Sequence, residues 1–401
     1  MKFSVLLPTR NRLEYLRYAI ETVLRQDYQN WEIIVSDNCS EDDIAGYIAS
    51  LNDPRIYYIR TDTFVPVTDN WNNALRLSTG EYVIMLGDDD GLLPNYFSRM
   101  MDAMELFPDP DFVYVSAYFF AYPGVMPDSP NGFLRRDINK LLGGNKPYIL
   151  DSSIARKIVD GYLNFSMPVA SNMQFSLISR RKINELSIDG DFFKSPYPDF
   201  YATPMLFLKS SKILIYPSPM VIIGITPKSY GFFHFNNRPN EGVQFLKNTL
   251  KEGHSPKILN ILLPGTSYND SWMLSNETLF LNHIKALNEE PNYSRYRFLQ
   301  IVHCYKRFYY DQTLPLKEIV SLKSLMTVQE RYLYGTSMAT LFTLLRIVPI
   351  NLAKKIITLL RQLIGQHSIK DRLDSKIRFE NLIGVYNHLS YQQDLDACQD
   401  E

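Results

Sequence analysis

Between residues 3 and 86 the chain alternates short apolar runs with stretches of helical periodicity, and no other feature restricts the fold as much. Residues 3–7 form an apolar run stopped by Pro8, the pattern of a buried strand. From Asn11 onward, Leu13, Leu16, Ile20, Val23 and Leu24 recur at helical spacing. Residues 31–35 predict a second strand, which ends on Ser36-Asp37-Asn38. Ser40 is placed to cap a helix through Ile44, Ile48 and Leu51, with Glu41, Asp42 and Asp43 in its first turn. Residues 56–59 predict a third strand and 69–77 a short helix closing near Gly80. A fourth strand, 82–86, runs directly into Gly87-Asp88-Asp89-Asp90. Such alternation builds a mostly parallel sheet flanked by helices, an α/β class. Ligands of open α/β sheets bind beyond the carboxyl ends of the strands. Thr9-Arg10-Asn11, Asp37-Asn38 and the three aspartates all fall at those ends.

The acidic turn carries the clearest chemistry. Adjacent carboxylates repel, so three held together call for a positive neighbour. Mg²⁺ or Mn²⁺ meets that need, taking one or two carboxylates while substrate phosphates complete its shell. A cation so placed offsets the charge that develops on a departing diphosphate. A solvated acidic turn is the plainer alternative. The chain has no GxxxxGK[ST] or GxGxxG motif, which leaves a diphosphate to metal and basic side chains.

Composition narrows the class further. A formal net charge of −1 gives no reason to expect nucleic acid as partner. Cys39, Cys304 and Cys398 are far apart, which excludes a disulfide framework or zinc knuckle and suits a reducing compartment. The first residues lack a signal-peptide layout, and no uncharged apolar run reaches membrane-spanning length, so a cytoplasmic location is expected.

Residues 3–12, 33–40 and 72–82, followed by Gly87-Asp88-Asp89-Asp90, together resemble the family 2 glycosyltransferases. The likeness continues more weakly to about residue 235. It implies a GT-A-like fold, a nucleotide-diphosphate sugar donor and transfer with inversion to a glycan or lipid-linked glycan. UDP is favoured only by its frequency in the family. By the same analogy Pro8, Thr9 and Arg10 line the nucleotide, with Asn38 beside them, and Asp37 accepts a hydrogen bond from the base. Asp88 approaches the ribose or sugar, and Asp89 or Asp90 binds the metal. Gly87 stands where the family often has the first Asp of Asp-x-Asp-Asp, which leaves the division of roles among the three open. Arg76 is either a donor contact or a surface arginine.

An inverting transfer needs a general base for the acceptor hydroxyl. The family usually places it in a Glu-Asp pair that opens a helix. Asp199 matches the second member, Pro198 replaces the first, and residues 205–208 continue as an apolar helix. Asp199 is thus the candidate base, with helix capping as the alternative reading and Asp189 and Asp191 as lesser candidates. His234, in an aromatic stretch, is either a metal ligand, as in some relatives, or a packed residue. Lys228 and Ser229 could contact phosphate. Trp71 reads better as core than as a sugar platform.

The predicted catalytic domain covers residues 1–235, and 236–401 reads as mainly helical. Within 337–378 a helix restarts after Pro349, with Leu352, Ile356, Leu359, Leu360 and Leu363 on one face. Basic Arg346, Lys354, Lys355, Arg361, Lys370, Arg372, Lys376 and Arg378 far outnumber Asp371 and Asp374 there. Such a helix either lies on an anionic membrane face or packs on protein. Two rival functions remain: a catalytically inactive nucleotide-sugar-binding or scaffold protein on the same fold, and nucleotidyl transfer, which would normally bring a glycine-rich loop after the first strand.

Overall fold

The computed structural model describes residues 1–126, 129–137, 139, 141–235, 241–242, 261–285, 289–363 and 378–399. The expected alternation is present: β1 (Phe3–Thr9), α1 (Leu13–Leu24), β2 (Trp31–Asp37), α2 (Ile44–Leu51), β3 (Ile56–Arg60), α3 (Val67–Leu77) and β4 (Tyr82–Met85). β1 pairs in parallel with β2 and β4, and β2 in parallel with β3. β1 and β2 are buried along nearly their whole length, as strands covered on both faces must be.

The second half of the sheet is mixed. After β5 (Gly91–Leu92) and α4 (Tyr96–Leu106), β6 (Phe112–Ala121) lies parallel to β10 (Ile213–Ile225). β7 (Phe133–Arg136) and β8 (Tyr148–Ile149) pair at the side, antiparallel to β6 and β10. Between β4 and β6 runs β9 (Ser176–Ser179), antiparallel to both. The order is therefore β3-β2-β1-β4-β9-β6-β10-β5. Helices α5 (Ser152–Leu163), α6 (Arg180–Leu186), α7 (Pro198–Lys209) and α8 (Tyr230–Phe235) complete this part.

One capping expectation changes. Asp43, not Ser40, caps α2 by accepting from Gly46 N at 2.9 Å. Ser40 Oγ instead accepts from Asn11 N at 2.9 Å and fastens the loop after β1.

The later residues are mainly helical, as expected. Helix Tyr268–Leu279 packs on α7, and its Trp272 Nε1 and Asn276 Nδ2 both donate to Tyr162 O. Helix Leu382–Gln399 returns to α1; its Leu382, Val385, Tyr386 and Leu389 share a buried cluster with Leu93, Phe120, Tyr122 and Ile222. In helix Ile350–Leu363 the apolar positions divide. Ala353 is buried and Ile356 packs on the core, while Leu352 and Leu359 are exposed. The side chain of Leu363 lies outside the described residues.

Candidate active site at the sheet edge

Register assembles the site. Thr9 stands opposite Asp37, and Leu6 opposite Met85, so the residues three further along, Thr9 and Asp88, meet where both strands end. Thr9 Oγ1 donates to Asp88 Oδ2 at 2.7 Å. Asp37 is fully buried; its Oδ1 accepts from Ser40 N at 2.9 Å and its Oδ2 from Tyr58 OH at 2.8 Å, with Arg60 Nη1 at 3.6 Å. The Asn38 amide is spent on both backbone groups of Val65, which pins the loop leading to α3. The Arg10 guanidinium lies 3.6 Å from the centre of the Phe64 ring. Pro8 holds a partly buried position near the end of β1.

Asp88, Asp89 and Asp90 are all buried. Burial pushes the Asp88 carboxyl up to about 6, against the opposing pull of Arg12. Asp90 is raised well above the usual range by burial and then by Asp89. Arg12 supplies the positive charge: its Nη1 sits 2.6 Å from Asp88 Oδ1, and its Nη2 contacts Asp89 Oδ2. Burial works against the Arg12 charge, but Asp88 and Asp89 outweigh it and hold the guanidinium protonated more firmly than usual.

The three aspartates have separate partners. Asp89 Oδ2 also accepts from Thr226 Oγ1 at 3.1 Å and from Ser229 Oγ. Asp90 faces inward: Gly224 N donates to its Oδ1 at 2.7 Å, while Gly87 N at 3.1 Å and Gln174 Nε2 donate to its Oδ2. This explains Gly87 at the position where the resemblance led one to expect Asp. A Cβ there would lie 2.3 Å from Asp90 Oδ2, so the Asp90 carboxylate fills that space.

Asp199 is the second residue of α7, not its cap. Its Oδ1 accepts from Phe200 N at 2.9 Å, and burial pushes its carboxyl up to about 6. Burial first, and then the Asp199 charge, raises the Tyr268 hydroxyl; the same charge reaches Tyr162 and Tyr230. Two consecutive residues connect the centres. Ser229 touches Asp89, and Tyr230 packs 5.5 Å from Tyr197 and 6.4 Å from Tyr268, centre to centre.

Several expected residues have other partners. Arg76 pairs at the surface with Asp191, at 2.8 Å, and with Asn73. Trp71 packs edge-on against Phe193, in line with its core reading. Lys228 Nζ donates to Asn11 O, which ties the β10 turn to the loop after β1. His234 falls within α8, but its side chain lies outside the described residues. Arg12, Gln174, Gly224 and Thr226 join the site without a place in the sequence-based expectation. Only Arg12, inside a motif already singled out, carried a local signal.

Among the described residues, no three His, Cys, Asp or Glu side chains group as a metal-ligand set. Asp88 and Asp89 nevertheless offer hard oxygen donors to one shared positive centre, and Mg²⁺-type sites beside phosphates need no more than one or two carboxylates. Asp88 and Asp89 are thus the side chains that could hold such a cation, whereas Asp90 is spent inward.

The family model for glycosyl transferase family 2 matches residues 4–154, the stretch that holds Thr9, Asp37 and the acidic turn. Over that stretch the chain is similar to glycosyl transferase family 2. A protein of Escherichia coli (strain K12) named "Putative colanic acid biosynthesis glycosyl transferase WcaA" is 38% identical over 117 residues, 29% of this chain and 42% of that one. A Campylobacter jejuni protein named GalNAc(5)-diNAcBac-PP-undecaprenol beta-1,3-glucosyltransferase is 40% identical over 103 residues, 25% of this chain and 33% of its own. The chain thus spans less than half the length of these curated relatives. The crystal structure of S. aureus TarS 1-349 with UDP-GlcNAc aligns with 94% of this chain and 95% of its own, at 15% identity and a TM-score of 0.47.

Proposed function

We propose that this protein is an inverting glycosyltransferase that takes a sugar from a nucleotide diphosphate, with UDP the first candidate. The observation that supports it most is the pairing of two centres in one site. An anion-rich strand edge built from Thr9, Asp37 and Asp88 is joined through Ser229 and Tyr230 to Asp199, a carboxyl with no cation beside it among the described residues. Asp199, poised near 6, is ionised at neutral pH yet basic enough to take a proton. It draws the proton from the acceptor hydroxyl as that oxygen bonds to the anomeric carbon and the bond to the diphosphate breaks. Attack opposite the leaving group inverts the centre. The nucleotide lies along Pro8, Thr9 and Arg10, with its base towards Asp37 and its ribose towards Asp88. A divalent cation held by Asp89 and Asp88 would, when bound, offset charge on the departing diphosphate.

The acceptor in this reading is a lipid-linked glycan at a membrane surface. The name of the Campylobacter relative, which specifies an undecaprenol-linked acceptor, supports that class. So does the exposure of Leu344, Ile347, Ile350, Leu352 and Leu359 beside exposed Lys354 and Lys355, a pairing suited to an anionic interface. Among the described residues no helix is long and apolar enough to cross a membrane.

Calorimetric titration of UDP, GDP and dTDP, each with and without Mn²⁺, tests the donor reading on wild type and Asp89→Asn. Binding of one nucleotide, strengthened by Mn²⁺ and weakened in the variant, is expected. Absence of binding by all three overturns it and favours the scaffold alternative.

A further inference from the structure

Arg12 occupies the point to which Asp88 and Asp89 both turn. Its two terminal nitrogens are divided between the two carboxylates, and Nη2 also donates to Thr226 Oγ1 at 2.9 Å. The seat is incomplete, because Arg12 Nε is buried and has no hydrogen-bond partner among the described residues. A buried N–H left unpaired carries a cost, so this arrangement is one that the arginine can leave for a better one. Arg12 also follows directly on Asn11, a left-handed residue (φ 52°) that sets the turn between β1 and α1.

We propose that Arg12 is an internal stand-in for the divalent cation, so that arginine and metal are alternative occupants of the Asp88–Asp89 pair. The inference rests on the metal-assisted reading above. Without nucleotide, Arg12 offsets part of the charge of the two buried carboxylates, and a cation must displace it. With a diphosphate present, the freed guanidinium has phosphate oxygens to pair with, for which its planar fork is suited. The same oxygens complete the shell of the incoming cation. Metal and nucleotide therefore enter together, and each tightens the other by the same factor. The device keeps the empty site from holding an idle cation.

The test is calorimetric titration of Mn²⁺ at pH 8, with and without saturating UDP, into wild type, Arg12→Met and Arg12→Lys. In wild type, UDP is expected to tighten Mn²⁺ by about tenfold or more, a usual size for such coupling. In Arg12→Met, Mn²⁺ alone is expected to bind at least about tenfold tighter than to wild type, since a unit charge within contact distance has been removed. Its coupling to UDP then shrinks. Mn²⁺ should also raise the melting temperature of nucleotide-free Arg12→Met more than that of wild type. If Arg12→Met does not fold, Arg12→Lys serves instead: one point charge cannot serve both carboxylates as the fork does, so a gain of smaller size is expected. Adding Asp89→Asn to the folded variant should erase the gain.

Unchanged or weaker Mn²⁺ binding in the folded variant, with undiminished coupling to UDP, overturns the proposal. Absence of Mn²⁺ binding in all variants overturns it together with the metal reading. UDP titration in the same samples shows separately whether the donor reading stands.

Discussion

Gly224 N donates to Asp90 Oδ1 at 2.7 Å, which joins the acidic turn after β4 to the last residues of β10. The approach is close enough that a Cβ at 224 would lie 1.9 Å from the Asp89 carbonyl oxygen. A backbone oxygen cannot swing aside as a side chain can. Gly224→Ala is therefore expected to cost about 1–3 kcal/mol or more, read from urea unfolding. It should also weaken nucleotide binding, since Asp89 would be displaced from Thr226 and Ser229. Wild-type stability in Gly224→Ala would refute this packing.

Asp199→Asn tests the base. The amide keeps the shape and removes the proton acceptor, so turnover should fall by about 10²–10⁴ while UDP affinity is unchanged. In wild type, kcat/KM should rise with pH through about 6 and level off above it, because the carboxylate is the active form and burial has raised its titration. The stability effect has the opposite sign. A carboxyl raised on folding stabilises most at low pH, and that contribution is lost as pH rises through the folded value near 6. Asp199→Asn should consequently lose less stability than wild type between pH 4 and 7. An activity profile without the limb near 6 assigns the base elsewhere.

The first half of the sheet was legible because its signals are local. Apolar runs at β1, β2 and β4, and helical spacing at α1, depend on neighbours only a few residues away, and the turn residues that follow the strands mark the site edge. Asp37 and Asp88 could be singled out for the same reason. The partners of the acidic turn could not. Gln174 and Gly224 reach Asp90 from 84 and 134 positions away, and their own sequence surroundings say nothing of it. Ser40 failed as a cap because three acidic residues follow it, and Asp43 reaches the Gly46 amide directly. Arg76 shows the limit of motif reasoning: its position matched, but Asp191 holds its guanidinium at the surface.

Thr9→Val removes the hydroxyl that donates to Asp88 while keeping the side-chain volume. It leaves a buried carboxylate short of one partner, which is expected to cost about 1–3 kcal/mol. The loss should be smaller at pH 5 than at pH 8, because Asp88, raised to about 6 chiefly by burial, is protonated at the lower value and needs that donor less. Urea unfolding at the two pH values checks this. Equal losses at both would mean that the hydroxyl does not act through the Asp88 charge.

The exposed apolar residues of the C-terminal helices test the membrane reading. Ile347 is 79% exposed and Ile350 65% exposed, and both lie close to exposed Lys354 and Lys355. An apolar wedge alone would bind neutral and anionic vesicles alike, and basic residues alone would be released by salt. The two together predict sedimentation with phosphatidylglycerol-containing vesicles, weaker sedimentation with pure phosphatidylcholine, and partial release by 0.5 M salt, a concentration that leaves a Debye length of about 4 Å. Lys354→Glu with Lys355→Glu should weaken binding to anionic vesicles by about tenfold or more, since each basic residue near such a surface contributes about 1 kcal/mol. Ile347→Glu with Ile350→Glu should remove the salt-resistant part. Neither pair lies in the acidic turn or on α7, so UDP binding should stay at the wild-type level. A protein that binds neither vesicle type, or whose quadruple variant still sediments fully, overturns the membrane role of this face.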